Sequence, residues 1–184
     1  MTTSVPTRTS TQWAIDAAHS LAEFSVKHMM VATVKGSFGA VNGTITLDES
    51  NHEATAVDAT IDVATINTGV EQRDAHLRSA DFFDAEQYPQ ISFRSTRVEP
   101  KGEDRARVYG DLTIHSVTQQ VALDVDYEGQ IKDAYGQQRA AFTATAEISR
   151  GTYGLTWNAA LEAGGVAVSD KVKVTLHIAA VRQD

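Results

Sequence analysis

The stretch Val57-Asp-Ala-Thr-Ile-Asp-Val63 puts Val57, Ala59, Ile61 and Val63 on one face and Asp58, Thr60 and Asp62 on the other. Alternation with period two is that of a β-strand with one dry and one wet face, which points to an antiparallel sheet. The same pattern recurs on both sides. Ala22, Phe24, Val26 and His28 alternate with Glu23, Ser25 and Lys27, and Val172, Val174, Leu176 and Ile178 alternate with Lys171, Lys173, Thr175 and His177. Further runs lie at 45–47, 91–95, 108–114, 121–127 and 140–148. About eight strands are expected from these periods. Turn signals stand between them at Asn42-Gly43, Glu128-Gly129, Tyr135-Gly136 and Gly164-Gly165. A sheet of this size, with no helices to cover it, either packs as a sandwich or closes into a barrel. The alternation does not separate the two, although long strands and well-formed first and last strands favour closure.

One segment breaks the pattern, Arg73-Asp-Ala-His-Leu-Arg-Ser-Ala-Asp-Phe-Phe-Asp-Ala-Glu-Gln-Tyr-Pro89. Thr68 followed by Glu71 has the spacing of a capping box, Val70 and Leu77 share a helical face, and Pro89 ends the run. A short helical segment over about 69–87 is expected, bridging two strands and covering a barrel end. Its charges could suggest catalysis, but no Gly-x-Ser-x-Gly elbow accompanies them and no serine stands out as a nucleophile.

Composition narrows the classes. With 184 residues, 42% apolar and 22% charged, the chain suits one globular domain, taken as 13–184 after a disordered Ser/Thr-rich tail over 1–12. A net charge of −8 without a basic cluster argues against nucleic acid or an anionic membrane surface as partner. Cysteine is absent, which removes disulfides, thiol catalysis and thiolate metal sites. The six histidines form neither a His-x-His pair nor an i, i+4 helical pair, so no metal site is expected. No run approaches the ~18 apolar residues of an integral membrane segment, nor the apolar core of a secretory signal, so a soluble, cytoplasmic protein is expected. The inner faces carry small residues, Ala22, Ala59, Gly110, Ala140, Ala144 and Ala146. Such a lining leaves room for an apolar guest, which gains about 0.8 kcal/mol for each methylene removed from water.

Several motifs follow one another in an order that resembles the YceI-like family. They are Trp13-Ala-Ile-Asp with His19-Ser20, Phe24-Ser-Val-Lys-His28, Ser37-Phe38-Gly39, and Arg73-Asp-Ala-His-Leu-Arg78 with Asp81-Phe-Phe-Asp84. Tyr88-Pro-Gln-Ile-Ser-Phe93, Gly110-Asp-Leu-Thr113 and Arg150-Gly-Thr-Tyr-Gly-Leu-Thr-Trp157 continue the series, so that the resemblance covers about 13–180. It implies an all-β fold, an extended lipocalin-like antiparallel eight-stranded β-barrel with a short helical segment between strands. It also implies a lumen for a long isoprenoid, often in a homodimer, and no catalytic residues. Family members are usually exported, and this chain departs from them in showing no signal. It departs also at His115-Ser116 and Ser169-Asp170, where glycine is usual.

The resulting expectation is non-enzymatic binding, transport or storage of an apolar, chain-like small molecule such as a polyprenyl lipid or quinone, with no other cofactor. Strand phase assigns its tail to Phe24, Val26, Phe38, Ile45, Ile61, Phe93, Leu112, Leu123 and Phe142. Phe82 and Phe83 on the helical lid and Trp157 join this set, and His28, Arg73 and His76 are the candidates for a headgroup. Two alternatives stay open: an enzyme on a hydrophobic substrate with His28 or His76 as acid–base, and a filled-barrel stress or interaction protein.

Overall fold

The computed structural model describes residues 10–184. Its strands are β1 (Ser10–Ile15), β2 (Leu21–His28), β3 (Ala32–Phe38), β4 (Val41–Asp48), β5 (Ala56–Asp62), β6 (Gln90–Pro100), β7 (Arg105–Ile114), β8 (Val117–Lys132), β9 (Gln138–Ser149) and β10 (Val168–Gln183). One helix, α1 (Glu71–Arg78), lies between β5 and β6. Every ladder is antiparallel, and β1 pairs with both β4 and β10, which closes the sheet on itself.

Ten strands make eight staves. Along one edge of β10, residues 168–177 pair with β2 and residues 180–183 with β1, so β1 and β2 lie end to end as one bent strand. Likewise β3 pairs with β2 while β4 pairs with β1. Both bends let a long strand follow a tilted barrel wall. Between β1 and β2, Asp16 caps a single 3-10 turn, Ala17–His19, by accepting the Ala18 N–H at 3.0 Å. The expected barrel of eight strands is therefore correct in closure, and the breaks within two staves are what the period alone does not show.

Some expected punctuation falls elsewhere. Asn42-Gly43 lies inside β4, opposite Thr60 and Ala59, instead of in a hairpin turn. A side chain on Gly43 would meet the Asp58 carbonyl oxygen at 2.1 Å, so this glycine serves close backbone approach. Gly39-Ala40, with Ala40 at φ 51°, is the bend where β3 passes into β4 within one stave. Glu128-Gly129 is a register shift within β8, whereas Tyr135-Gly136 does lie in the β8–β9 hairpin. Of the tail expected over 1–12, Ser10–Gln12 instead belong to β1 and pair with β4, and residues 1–9 lie outside the described residues.

The helical segment is shorter than the expected 69–87. Beyond Arg78 the chain turns through 79–88 on backbone hydrogen bonds such as Phe83 N–H to Leu77 O and Ala85 N–H to Arg78 O. The capping box also fails. Val70 occupies the N-cap and is exposed, and the carboxylate that organises this end is Asp74. It is buried and accepts from Thr68 N–H at 2.9 Å and from the Thr68 hydroxyl at 2.5 Å. The apolar side is as expected, for Phe82 is buried and Leu77 and Phe83 pack on the main core. That core includes Trp13, Phe38, Val41, Val63, Ile66, Ile114, Tyr153 and Leu155. No helix among the described residues is long and apolar enough to cross a membrane.

Candidate functional site: the barrel lumen

Because residues two apart share a face, each stave contributes a row of inward side chains. These rows enclose a cavity of about 530 Å³, within the 300–1,000 Å³ typical of small-molecule sites. Phe24, Phe38, Ile45 and Leu47 line one side, with Val57, Ala59 and Ile61 of β5 beside them. Ile91, Phe93 and Val98 of β6 and Val108 and Leu112 of β7 continue the wall. Val121, Leu123, Val125 and Tyr127 of β8, Phe142, Ala144 and Ala146 of β9, and Val172, Val174 and Leu176 of β10 complete it.

Of the residues assigned to a ligand tail, Phe24, Phe38, Ile45, Ile61, Phe93, Leu112, Leu123 and Phe142 thus line the cavity. The other four stand off its wall. Val26 faces Val172 and Val34 near the end of β2. Phe83 meets Phe38 edge-on at 5.6 Å, and Phe38 meets Phe24 at 5.5 Å, an aromatic series leading from lid to lumen. Phe82 and Trp157 pack together at 5.2 Å, with the His76 ring edge-on to both.

The headgroup candidates do not converge on the lumen. Arg73 is spent on the lid, donating from Nε to the Thr68 hydroxyl at 2.7 Å and from a terminal nitrogen to Thr68 O at 2.8 Å. His76 Nε2 lies 2.9 Å from Asp81 Oδ2 on the exposed side of the same element. His28, at the end of β2, pairs with Ala32 and Val168 and is off the cavity wall. Their placement follows from where the cavity reaches the surface, which is the end opposite α1. There the polar wall includes Asp48 at the end of β4, Glu49 and His52 from the β4–β5 connection, Glu103 and Asp104 from the β6–β7 turn, Arg105 at the start of β7, and Gln130 of β8. Strand period could not reveal most of these residues, since Glu49, His52, Glu103 and Asp104 lie in connections and Asp48 and Arg105 at the strand ends beside them. The only sequence signal is the concentration of acid in two turns at the same barrel end.

The small residues also divide. Ala22, Ala59, Ala144 and Ala146 line the cavity, but the space above Gly110 is taken by the Phe93 ring. A Cβ at Gly110 would come within 2.4 Å of that ring, and one at Gly36 within 2.4 Å of Phe24. Here glycine makes room for a neighbouring aromatic side chain and not for a guest.

The lid end is held by a second buried polar element. Arg150 donates to four backbone carbonyls, Leu155 O at 2.6 Å, Ser169 O at 2.9 Å, Trp157 O at 3.0 Å and Val168 O at 3.1 Å. Burial pulls its pKa below the ordinary arginine value, partly offset by the nearby Asp170 charge. Asp170 itself is held below the usual carboxylate range by the Ser149 hydroxyl and the Gly151 N–H. Burial raises the Tyr153 phenol, whose hydroxyl has no hydrogen-bond partner.

Comparison with known proteins agrees with this architecture. A UPF0312 protein of Staphylococcus aureus (strain COL) is 38% identical over 164 residues, covering 89% of this chain and 93% of that protein. BcnA of Burkholderia cenocepacia superposes with a TM-score of 0.78 at 24% identity, over 90% of this chain and 98% of that one. A polyisoprenoid-binding domain from Saccharophagus degradans, implicated in plant cell wall breakdown, gives 0.67 at 17% identity over 93% and 98%. Residues 13–180 match the YceI-like domain. With that match over nearly its whole length and the barrel to go with it, the chain belongs to the YceI-like family.

Proposed function

We propose that the protein binds a long apolar ligand of isoprenoid type, a polyprenyl lipid or quinone, in the barrel lumen, as a carrier or store and not as an enzyme. The observation that carries this reading is the cavity of about 530 Å³ whose walls are apolar on every stave and whose polar groups, Glu23 and Ser92 apart, gather at one end. A chain-like tail fits such a space because burial rewards each methylene without requiring a directed contact. The polar end of the ligand then sits among Asp48, Glu49, His52 and Glu103. The polyisoprenoid-binding domain of similar fold supports the ligand class.

Native mass spectrometry after gentle purification tests the proposal. A co-purified apolar mass released on activation is expected, and the same spectrum reads whether the chain is the homodimer that the resemblance implies. A homogeneous ligand-free species that also takes up neither added polyprenol nor added quinone would sink the reading.

A further inference from the structure

The lumen wall is neutral along its length and charged only where it meets water. Glu23 is set apart, with its carboxylate 3.7 Å from His177 Nε2 on the face of the β2–β10 pair. The remaining charged wall residues are Asp48, Glu49, Glu103, Asp104 and Arg105, all at the open end. Arg105, the one cation, donates from Nε to Asp126 at 2.9 Å. Of the other cations at this end, Lys101 and Arg97 pair with Glu99 and Arg107 with Asp124, while Lys132 at the end of β8 makes no ion pair among the described residues. Asp48 is occupied in the loop, accepting from Ser50 and Asn51. Among the described residues the side chains of Glu49, Glu103 and Asp104 make no ion pair that would neutralise them.

We infer that this rim selects the ligand by the charge of its headgroup: the lumen takes amphiphiles whose polar end is uncharged or cationic, and rejects those ending in phosphate or carboxylate. The inference rests on the proposed lumen binding and narrows it. The apolar cavity is the site, and the carboxylates bias what enters. A tail fully seated in the cavity leaves its headgroup at the rim, within about one Debye length of every carboxylate there. Like charges so placed disfavour the wrong partner more than opposite charges reward the right one, since lost hydration offsets the attraction but adds to the repulsion.

Displacement of the neutral fluorophore N-phenyl-1-naphthylamine by farnesol, farnesylamine and farnesoic acid tests this, because the three share one tail and differ in charge at pH 7. Farnesol and farnesylamine are expected to compete, and farnesoic acid to bind at least about tenfold more weakly, a gap that narrows as salt rises. In a Glu49→Gln, Glu103→Gln, Asp104→Asn variant, the ratio of acid to alcohol affinity should rise several-fold. Equal binding of all three by the unaltered protein, or an unchanged ratio in the variant, overturns the charge filter and leaves lumen binding intact. Failure of all three to displace the probe overturns the lumen reading and the filter together.

Discussion

Arg150 shows how one charged side chain can hold a terminus of a barrel together. Its four carbonyl acceptors come from two separate stretches, 155–157 and 168–169, so the guanidinium ties the start of β10 to the loop before it. Lysine carries the charge but not the planar fork, and cannot reach four acceptors at once. Arg150→Lys is expected to destabilise by about 2–4 kcal/mol, read as a lowered urea midpoint at unchanged m-value, because carbonyls are left buried and unpaired. Asp170 beside it gives a pH signature. Its folded pKa lies below the ordinary aspartate value, so its contribution is fully present above about pH 4. It is lost as pH falls through the lower folded value. Asp170→Asn should therefore lower stability at pH 7 and flatten the acid limb; a variant whose urea midpoint falls with acid as steeply as the wild type would contradict this.

The lid derives its order from a buried carboxylate and not from helix propensity, since eight residues form too short a helix to stand alone. Asp74→Ala should cost about 1–3 kcal/mol, as the Thr68 N–H and hydroxyl lose their acceptor. Amide exchange ought to accelerate through 68–84 while β8 and β9 keep their protection, which separates a loosened lid from global unfolding. In β7 the relevant element is a glycine beneath an aromatic ring. Gly110→Ala would press a methyl into Phe93 and, at 2.6 Å, the Arg94 carbonyl. A loss of about 1–3 kcal/mol in thermal or urea unfolding is expected from that overpacking.

The barrel has two unlike ends. One is sealed by aromatic packing from Phe83 through Phe38 to Phe24, and the other opens through an acidic rim. If the space between them is the functional part, filling it should abolish binding while sparing the fold. Ala144 lines the cavity on β9, opposite Val125 and Leu176. Ala144→Trp is expected to weaken N-phenyl-1-naphthylamine binding at least about tenfold while changing stability by no more than about 1–3 kcal/mol. Retained probe fluorescence in a folded variant would place the binding site elsewhere.

Alternation in Val57–Val63 and its counterparts was enough to read the antiparallel sheet and most of its inward face, because the period of two is a property of the extended backbone itself. Eight of the twelve lumen assignments lie on the cavity wall for that reason. Ordered motifs from Trp13 to Trp157 carried the family as well. What the tertiary structure alone decided was closure and polarity. Long-range pairing of β1 with β10 makes two broken staves count as one each, and no local pattern encodes a partner nearly 170 residues away. Cross-strand contact also turned Gly110 from an apparent gap into a seat for Phe93, while the local fold of the lid spent Arg73 on Thr68, five residues before it. The rim was illegible because the β4–β5 and β6–β7 connections carry no period and only barrel closure brings their carboxylates around one opening. Arg73, His76 and His28 drew notice through residue type, but a headgroup is met by whatever surrounds the opening, and that is set by which end the lid seals.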